Sequence, residues 1–271
     1  MTSTSPARTA AFFDLDKTVI ARSSALAFTR HFYEGGLLTK RAMLRSAIAQ
    51  LQFLLTADPA HHVERMRKHV TDMSAGWEAA TVRSIVTETL DDVVRPVIFI
   101  EAAALIAEHK AAGRDVVLIS ASGMEMVEPI GALLGVDLVR ATEMALIDGH
   151  YSGEIKFYCY GEAKADVMRE LADERGYNLT DCYAYSDSAT DIPMLALAGH
   201  PAAVNPDKTL RSHAVDQGWE ILDFPNPAPL VDWSSNTTRG WTAFAASVTV
   251  LAAAAATYGI VHLLSERHDA A

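Results

Sequence analysis

Two aspartates stand two positions apart in Asp14-Leu15-Asp16-Lys17-Thr18, directly after the apolar run Ala10-Ala11-Phe12-Phe13. Side chains two apart on a strand point to the same side. Asp14 and Asp16 therefore converge at the carboxyl end of a buried strand, where open α/β sheets bind ligands. Carboxylates this close repel, and one takes a proton unless a cation lies between them. A hard divalent ion such as Mg2+ is the expected cation, since it prefers oxygen ligands. Three more loops carry chemistry: Ser120-Ala121-Ser122, Lys164, and Asp187 with Asp191. Acids, one lysine and one serine together fit phosphoryl transfer. The acids hold Mg2+, while Lys164, the Ser120 hydroxyl and neighbouring N–H groups, that of Ala121 included, neutralise phosphate oxygens. Asp14 is then the nucleophile, forming an aspartyl-phosphate. Asp16 protonates the leaving oxygen and later takes a proton from water. Asp187 is the third metal ligand. Asp191 supports the metal site or Lys164, and Thr18 and Thr190 are further supporting residues. Taken singly, these residues have plainer readings: a surface pair in a turn, loop punctuation, a solvated helix lysine, helix N-caps. Their order and joint placement carry the chemical reading.

The elements that must position them alternate. A helix is expected from Pro96 to Gly113, a strand over Asp115–Ile119 with Ser120–Gly123 as its exit loop, and a helix over Met124–Leu134. A hairpin follows, Glu143–Ile147 and His150–Ile155, joined at Asp148-Gly149. Then come a helix over Gly161–Arg175, a strand over Cys182–Tyr185, a helix over Ile192–Leu197, and strands over Pro201–Val204 and Trp219–Leu222. Strands alternating with helices mean a parallel sheet covered on both faces. Between the first strand and Pro96 the apolar spacing is helical instead: Leu44, Ile48, Leu51 and Leu55, then Val63, Met66, Val70 and Met73, then Val82, Val86 and Leu90. The fold class is thus α/β, a Rossmann-like parallel sheet core with an inserted helical bundle. Residues 10–22 and 96–224 form the core and 23–95 the insert.

The 271 residues carry a net charge of -11, which excludes a basic nucleic-acid surface. Two cysteines, Cys159 and Cys182, fit a reducing cytosol rather than a disulfide framework. The polar residues 1–9 contain no apolar run, so no signal peptide is expected. Residues 225–240 read as a linker, rich in Pro, Ser, Asn and Thr. Residues 241–264 contain no Asp, Glu, Lys or Arg, and are expected to form a C-terminal transmembrane helix. The alternative is a buried or peripheral helix, since the run is alanine-rich. Anchoring would leave the catalytic part in the cytoplasm.

Asp14-Leu-Asp-Lys-Thr18, Ser120, Lys164 and Ser186-Asp187-Ser-x-x-Asp191 resemble the four motifs of the haloacid dehalogenase (HAD) superfamily of phosphatases. The insert resembles the helical cap of its IB branch, which contains the phosphoserine phosphatases. The resemblance spans roughly residues 11–224. It implies a Rossmann-like core with a mobile cap, Mg2+ and an aspartyl-phosphate. It also implies a metal held by Asp14, the backbone carbonyl of Asp16, and Asp187. The phosphoserine enzymes carry glutamate where this chain has Ser23, Ser-Gly-Gly where it has Ser120-Ala121-Ser122, and Gly-Asp where it has Ser186-Asp187. Thr190 replaces their asparagine. The expected activity is a Mg2+-dependent phosphatase acting on a small phosphate monoester, with a lipid phosphate as one candidate. The alternatives are a phosphoserine phosphatase acting on a soluble metabolite and a membrane-tethered binding protein without turnover.

Overall fold

Residues Ala10–Phe13 form strand β1, with all four side chains buried. Alternation sends Phe13 and Ala11 to one face and Phe12 and Ala10 to the other, and each set joins a separate apolar core. The structure, a computed structural model, describes residues 8–39, 68 and 71–225. After β1 come the short helices α1 (Ser24–Ala27) and α2 (Thr29–Glu34), then α3 (Ala79–Val93) and α4 (Ile100–Ala111). Strand β2 (Asp115–Gly123) leads to α5 (Met124–Leu134) and the strands β3 (Leu138–Ile147) and β4 (His150–Phe157). The chain continues through α6 (Glu162–Arg175), β5 (Tyr183–Ser186), α7 (Ile192–Leu195), β6 (His200–Val204), α8 (Lys208–Gln217) and β7 (Glu220–Leu222).

The seven strands lie in the order β4-β3-β2-β1-β5-β6-β7. All pairs are parallel except β3 with β4, which is antiparallel. Helices α4 and α5 pack on the Phe13 face, and α6, α7 and α8 on the Phe12 face. The α/β class and the parallel core are therefore as the sequence indicates. The β3–β4 turn has Asp148 at φ 49° and Gly149 at φ 78°. Left-handed backbone at both central residues matches the right-handed twist of a hairpin.

Several boundaries differ from expectation. The helix expected from Pro96 begins instead at Ile100. Arg95–Val97 is one 3-10 turn, and Ile98 and Phe99 are extended because they pair with the chain after β1: Ile20 bridges Ile98, and Phe99 N–H donates to the Val19 carbonyl at 3.0 Å. Strand β2 runs four residues past Ile119, so Ser120–Gly123 is strand and not loop. Its pairing with β3 shifts register between Ser120 and Gly123. Helix α8 was not legible as an element. Within the insert, α3 buries Val82 and Val86 at helical spacing, as expected. The expected helix over 44–55 lies outside the described residues, as do residues 63–67 and 69–70 of the one over 63–73, whose residues 68 and 71–73 are helical, the 226–240 part of the linker and the run 241–264. Among the described residues no helix is long and apolar enough to cross a membrane.

The insert's return to the core is fastened by backbone. Tyr151 in β4 donates to the Trp77 carbonyl and accepts from Gly76 N–H, both at 2.8 Å, and Ala79 N–H donates to the Gly149 carbonyl at 3.0 Å. These bonds cover part of an edge strand that would otherwise present open donors and acceptors. Arg83 of α3 also pairs with Glu128 of α5 at 2.5 Å.

Candidate active site

The ends of β1, β2 and β5, with the first turn of α6, bring the reactive side chains together. Register explains this: Phe13 pairs with Leu118 and with Tyr185, so the next residues of all three strands reach the same edge. Asp14 extends the β5 pairing by donating its N–H to the Tyr185 carbonyl at 2.9 Å. The chain then turns sharply. The Leu15 carbonyl accepts from Val19 N–H at 2.9 Å and Ile20 N–H at 3.0 Å, with Lys17 in left-handed backbone at φ 63°. Gly161, at φ 60° and ψ -124°, caps α6 in a conformation that L side chains rarely adopt, and this puts Lys164 in the first turn.

Lys164 is the hub. It is 3 % exposed, and its Nζ donates to Asp14 Oδ1 at 2.6 Å and to Asp191 Oδ2 at 2.7 Å. Asp191 Oδ2 also accepts from the Ser186 hydroxyl at 2.6 Å. Asp191, expected to support the metal site or Lys164, lies against Lys164. The lysine loses hydration in this position, yet the two carboxylates hold its pKa above the ordinary value. Burial pushes the Asp14 carboxyl up to about 7, against the opposing pull of Lys164. Burial likewise lifts Asp187 to about 6, opposed chiefly by Lys17.

Asp16 turns its carboxylate away from that hub. Oδ1 accepts from Ser24 N–H at 2.9 Å, and Oδ2 lies 3.1 Å from the Ser122 hydroxyl. Burial raises its pKa, and the bonds from Ser24 and Ser122 oppose the rise. The Ser120 hydroxyl accepts from Ser122 N–H at 3.1 Å, and the Ala121 carbonyl accepts from the Thr142 hydroxyl at 2.7 Å, which fixes the bulged end of β2. The Thr190 hydroxyl is 3.0 Å from Ser188 Oγ and 3.5 Å from Asp191 Oδ1. The Thr18 hydroxyl is buried without a hydrogen-bond partner.

Among the described residues no three His, Cys, Asp or Glu side chains cluster as a metal site. The resemblance to the family implies a mixed donor set for a hard dication: the carboxylates of Asp14 and Asp187 and the main-chain oxygen of Asp16. Two buried carboxyls whose burial disfavours their charge suit such an ion, because it would stabilise both as carboxylates.

The family model for haloacid dehalogenase-like hydrolases matches residues 11–196. The chain belongs to the haloacid dehalogenase-like hydrolase family. A Mycobacterium tuberculosis protein named a probable phosphatase is 53 % identical over 257 residues, covering 94 % of this chain and 90 % of the relative. A phosphoserine phosphatase of the same organism is 36 % identical over 217 residues, covering 79 % and 70 %. Among solved structures, a Bordetella pertussis protein of unknown function superposes with a TM-score of 0.70 at 27 % identity, over 80 % of this chain and 99 % of that one.

Within this hydrolase family frame, three residues escaped the sequence reading. Ser24 holds Asp16 from the root of the insert. Ser186 was visible in the Ser-Asp motif, but not its bond to Asp191. Asp207 accepts from Ala189 N–H and Leu210 N–H, both at 2.8 Å, and its own N–H donates to the Asp187 carbonyl at 2.8 Å. It is the N-cap of α8 and follows a proline.

Proposed function

We propose that the chain is a Mg2+-dependent phosphatase that hydrolyses a phosphate monoester through an aspartyl-phosphate. The observation that carries this reading is the buried Lys164 ammonium held between Asp14 and Asp191. It engages Asp14 Oδ1, so Oδ2 is the attacking atom. The Asp14 Oδ2–P bond forms as the ester P–O bond breaks, and Asp16 gives its proton to the leaving oxygen. Asp16 then takes a proton from water, the water oxygen attacks phosphorus, and Asp14 is released. The Ser120 hydroxyl, the Ala121 N–H and Lys164 hold phosphate oxygens. Mg2+, when held by Asp14, Asp187 and the Asp16 carbonyl, supplies the positive charge that keeps Asp14 ionised and offsets charge on the phosphate. The phosphatase named at 53 % identity and the phosphoserine phosphatase at 36 % support the reaction class.

The test is phosphate release from phosphoserine, sugar phosphates, nucleotides and lysophosphatidate, with and without Mg2+. Mg2+-dependent release that vanishes in Asp14→Asn supports the reading, and release that persists in Asp14→Asn refutes it. The preferred substrate separates a soluble metabolite from a lipid phosphate. A membrane-anchored form is part of the proposal and rests on the uncharged run 241–264. Recovery of the full chain in the soluble fraction, without detergent, would remove that part alone.

A further inference from the structure

Asp16 is gripped from two parts of the molecule that are far apart in sequence. Its Oδ1 accepts the Ser24 N–H at 2.9 Å, and its Oδ2 lies 3.3 Å from the Ser24 hydroxyl and 3.1 Å from the Ser122 hydroxyl. The two hydroxyl oxygens are themselves 2.7 Å apart. Ser24 is the first residue of α1, at the root of the insert, and is fully buried. Ser122 belongs to β2 in the core, and its N–H donates to Ser120 Oγ, which ties it to the strand end proposed to hold phosphate.

The proton count in this triangle is informative. Two hydroxyls bring two protons to three oxygens. The shortest edge joins the serines, so one proton lies there and one remains for Oδ2. A carboxylate oxygen has two lone-pair sites, which leaves one on Oδ2 for a transferable proton. Oδ1 instead faces a main-chain N–H, which can only donate. Each Asp16 oxygen thus keeps one lone-pair site, and Oδ2 is the one beside hydroxyls that can accept as well as donate. A hydroxyl both donates and accepts. Ser122 can donate to the carboxylate and, after a turn of its O–H, accept from the carboxylic acid.

We propose that Ser24 and Ser122 are positioning residues that hold Asp16 in place for both halves of its work, and that Ser24 ties this to the seating of the insert's root on the core. The inference rests on the phosphatase reading. In the first half, the proton leaves Asp16 Oδ2 for the ester oxygen, which keeps the electron pair of the broken P–O bond, and Ser122 turns to donate to the new carboxylate. In the second half, water gives its proton to Oδ2 as its oxygen bonds to phosphorus, and Ser122 turns back to accept.

The test compares kcat/KM for p-nitrophenyl phosphate, whose leaving group departs readily without a proton, with phenyl phosphate, whose leaving group needs one more. Ser122→Ala is expected to lose about tenfold more on phenyl phosphate than on p-nitrophenyl phosphate, a modest part of what general acid catalysis supplies. Ser122→Thr, which keeps the hydroxyl, is expected to restore the ratio to within about threefold. In an Asp16→Asn background, Ser122→Ala should add no further loss, since the two act as one unit. Ser24→Ala is expected to shift the ratio the same way, and Ser122→Ala carries the test if that variant does not fold. Equal losses on the two substrates, or full additivity with Asp16→Asn, would overturn the proposal while leaving the phosphatase reading intact. Wild-type protein inactive on both esters in Mg2+ would overturn that reading, and this inference with it.

Discussion

Replacing Asp187 by asparagine should make the metal-free protein more stable at neutral pH, although the residue sits in the site. Burial, opposed mainly by Lys17, raises its carboxyl from an ordinary 3.8 to about 6 in the folded chain. Below the unfolded value the group is protonated in both states and affects nothing. Between the two values the unfolded chain gives up the proton and the folded chain keeps it, so stability falls as pH rises through that window. Above the folded value the full cost is present. A gap of about two pH units, at about 1.4 kcal/mol each, comes to about 3 kcal/mol. Asparagine has nearly the same shape and no charge, so Asp187→Asn recovers up to that amount at about pH 8 and close to none at about pH 4. For a chain of this size each kcal/mol moves Tm by about 2–4 °C. The assay is urea unfolding followed by circular dichroism at both pH values in a chelator, repeated with Mg2+. Wild type should gain about 2.7 kcal/mol when Mg2+ is a hundredfold above Kd, and the variant much less. A variant destabilised equally at both pH values would refute the claim that the buried charge is the cost. Equal Mg2+ stabilisation of both proteins would refute the assignment of Asp187 as a ligand.

Three more outcomes follow from the same contacts. Lys164→Met leaves Asp14 and Asp191 facing each other without their shared cation, and urea unfolding at neutral pH should show a loss of about 3–5 kcal/mol that shrinks in acid as the carboxyls take up protons. Asp207→Ala removes the cap from Leu210 N–H and the anchor of Ala189 N–H, and should lower stability by about 1–2 kcal/mol in thermal unfolding. Gly199→Ala would put a Cβ 1.7 Å from the Thr180 carbonyl oxygen, a backbone atom that cannot swing aside, so a loss of about 3 kcal/mol and poor soluble yield are expected.

What the sequence made legible is local. The acid pair after an apolar strand, the Asp148-Gly149 turn and the burial of Val82 and Val86 each depend on spacing within a few residues, and each is found where expected. Lys164 was placed by order alone, since nothing near it marks it as buried. The failures share one cause, which is pairing with a distant segment. Pro96 does not open a helix because Ile98 and Phe99 are drawn into contact with Val19 and Ile20. Ser120–Gly123 looks like a loop by composition but is held extended by β3, through partners such as Thr142.

The same reasoning explains why Ser24, and the contact of Ser122 with Asp16, stayed hidden while Asp16 was plain. A carboxylate two positions from another just past an apolar strand is recognisable by itself in the sequence, although Asp14 turns to Lys164 and Asp16 to Ser24 and Ser122. A hydroxyl that serves it has no such mark: Ser23, Ser24, Ser120 and Ser122 are equivalent as letters. Only the strand order separates them, by laying β2 beside β1 and so carrying residue 122 to residue 16. The insert completes the arrangement, since its first helix begins at the residue whose N–H and hydroxyl face the same carboxylate. Any change that unseats that first turn should therefore reach the chemistry through Asp16 before it reaches Lys164, whose partners all lie in the sheet core. Loss on esters with poor leaving groups, at unchanged stability of the Lys164 cluster, is the signature that separates the two routes.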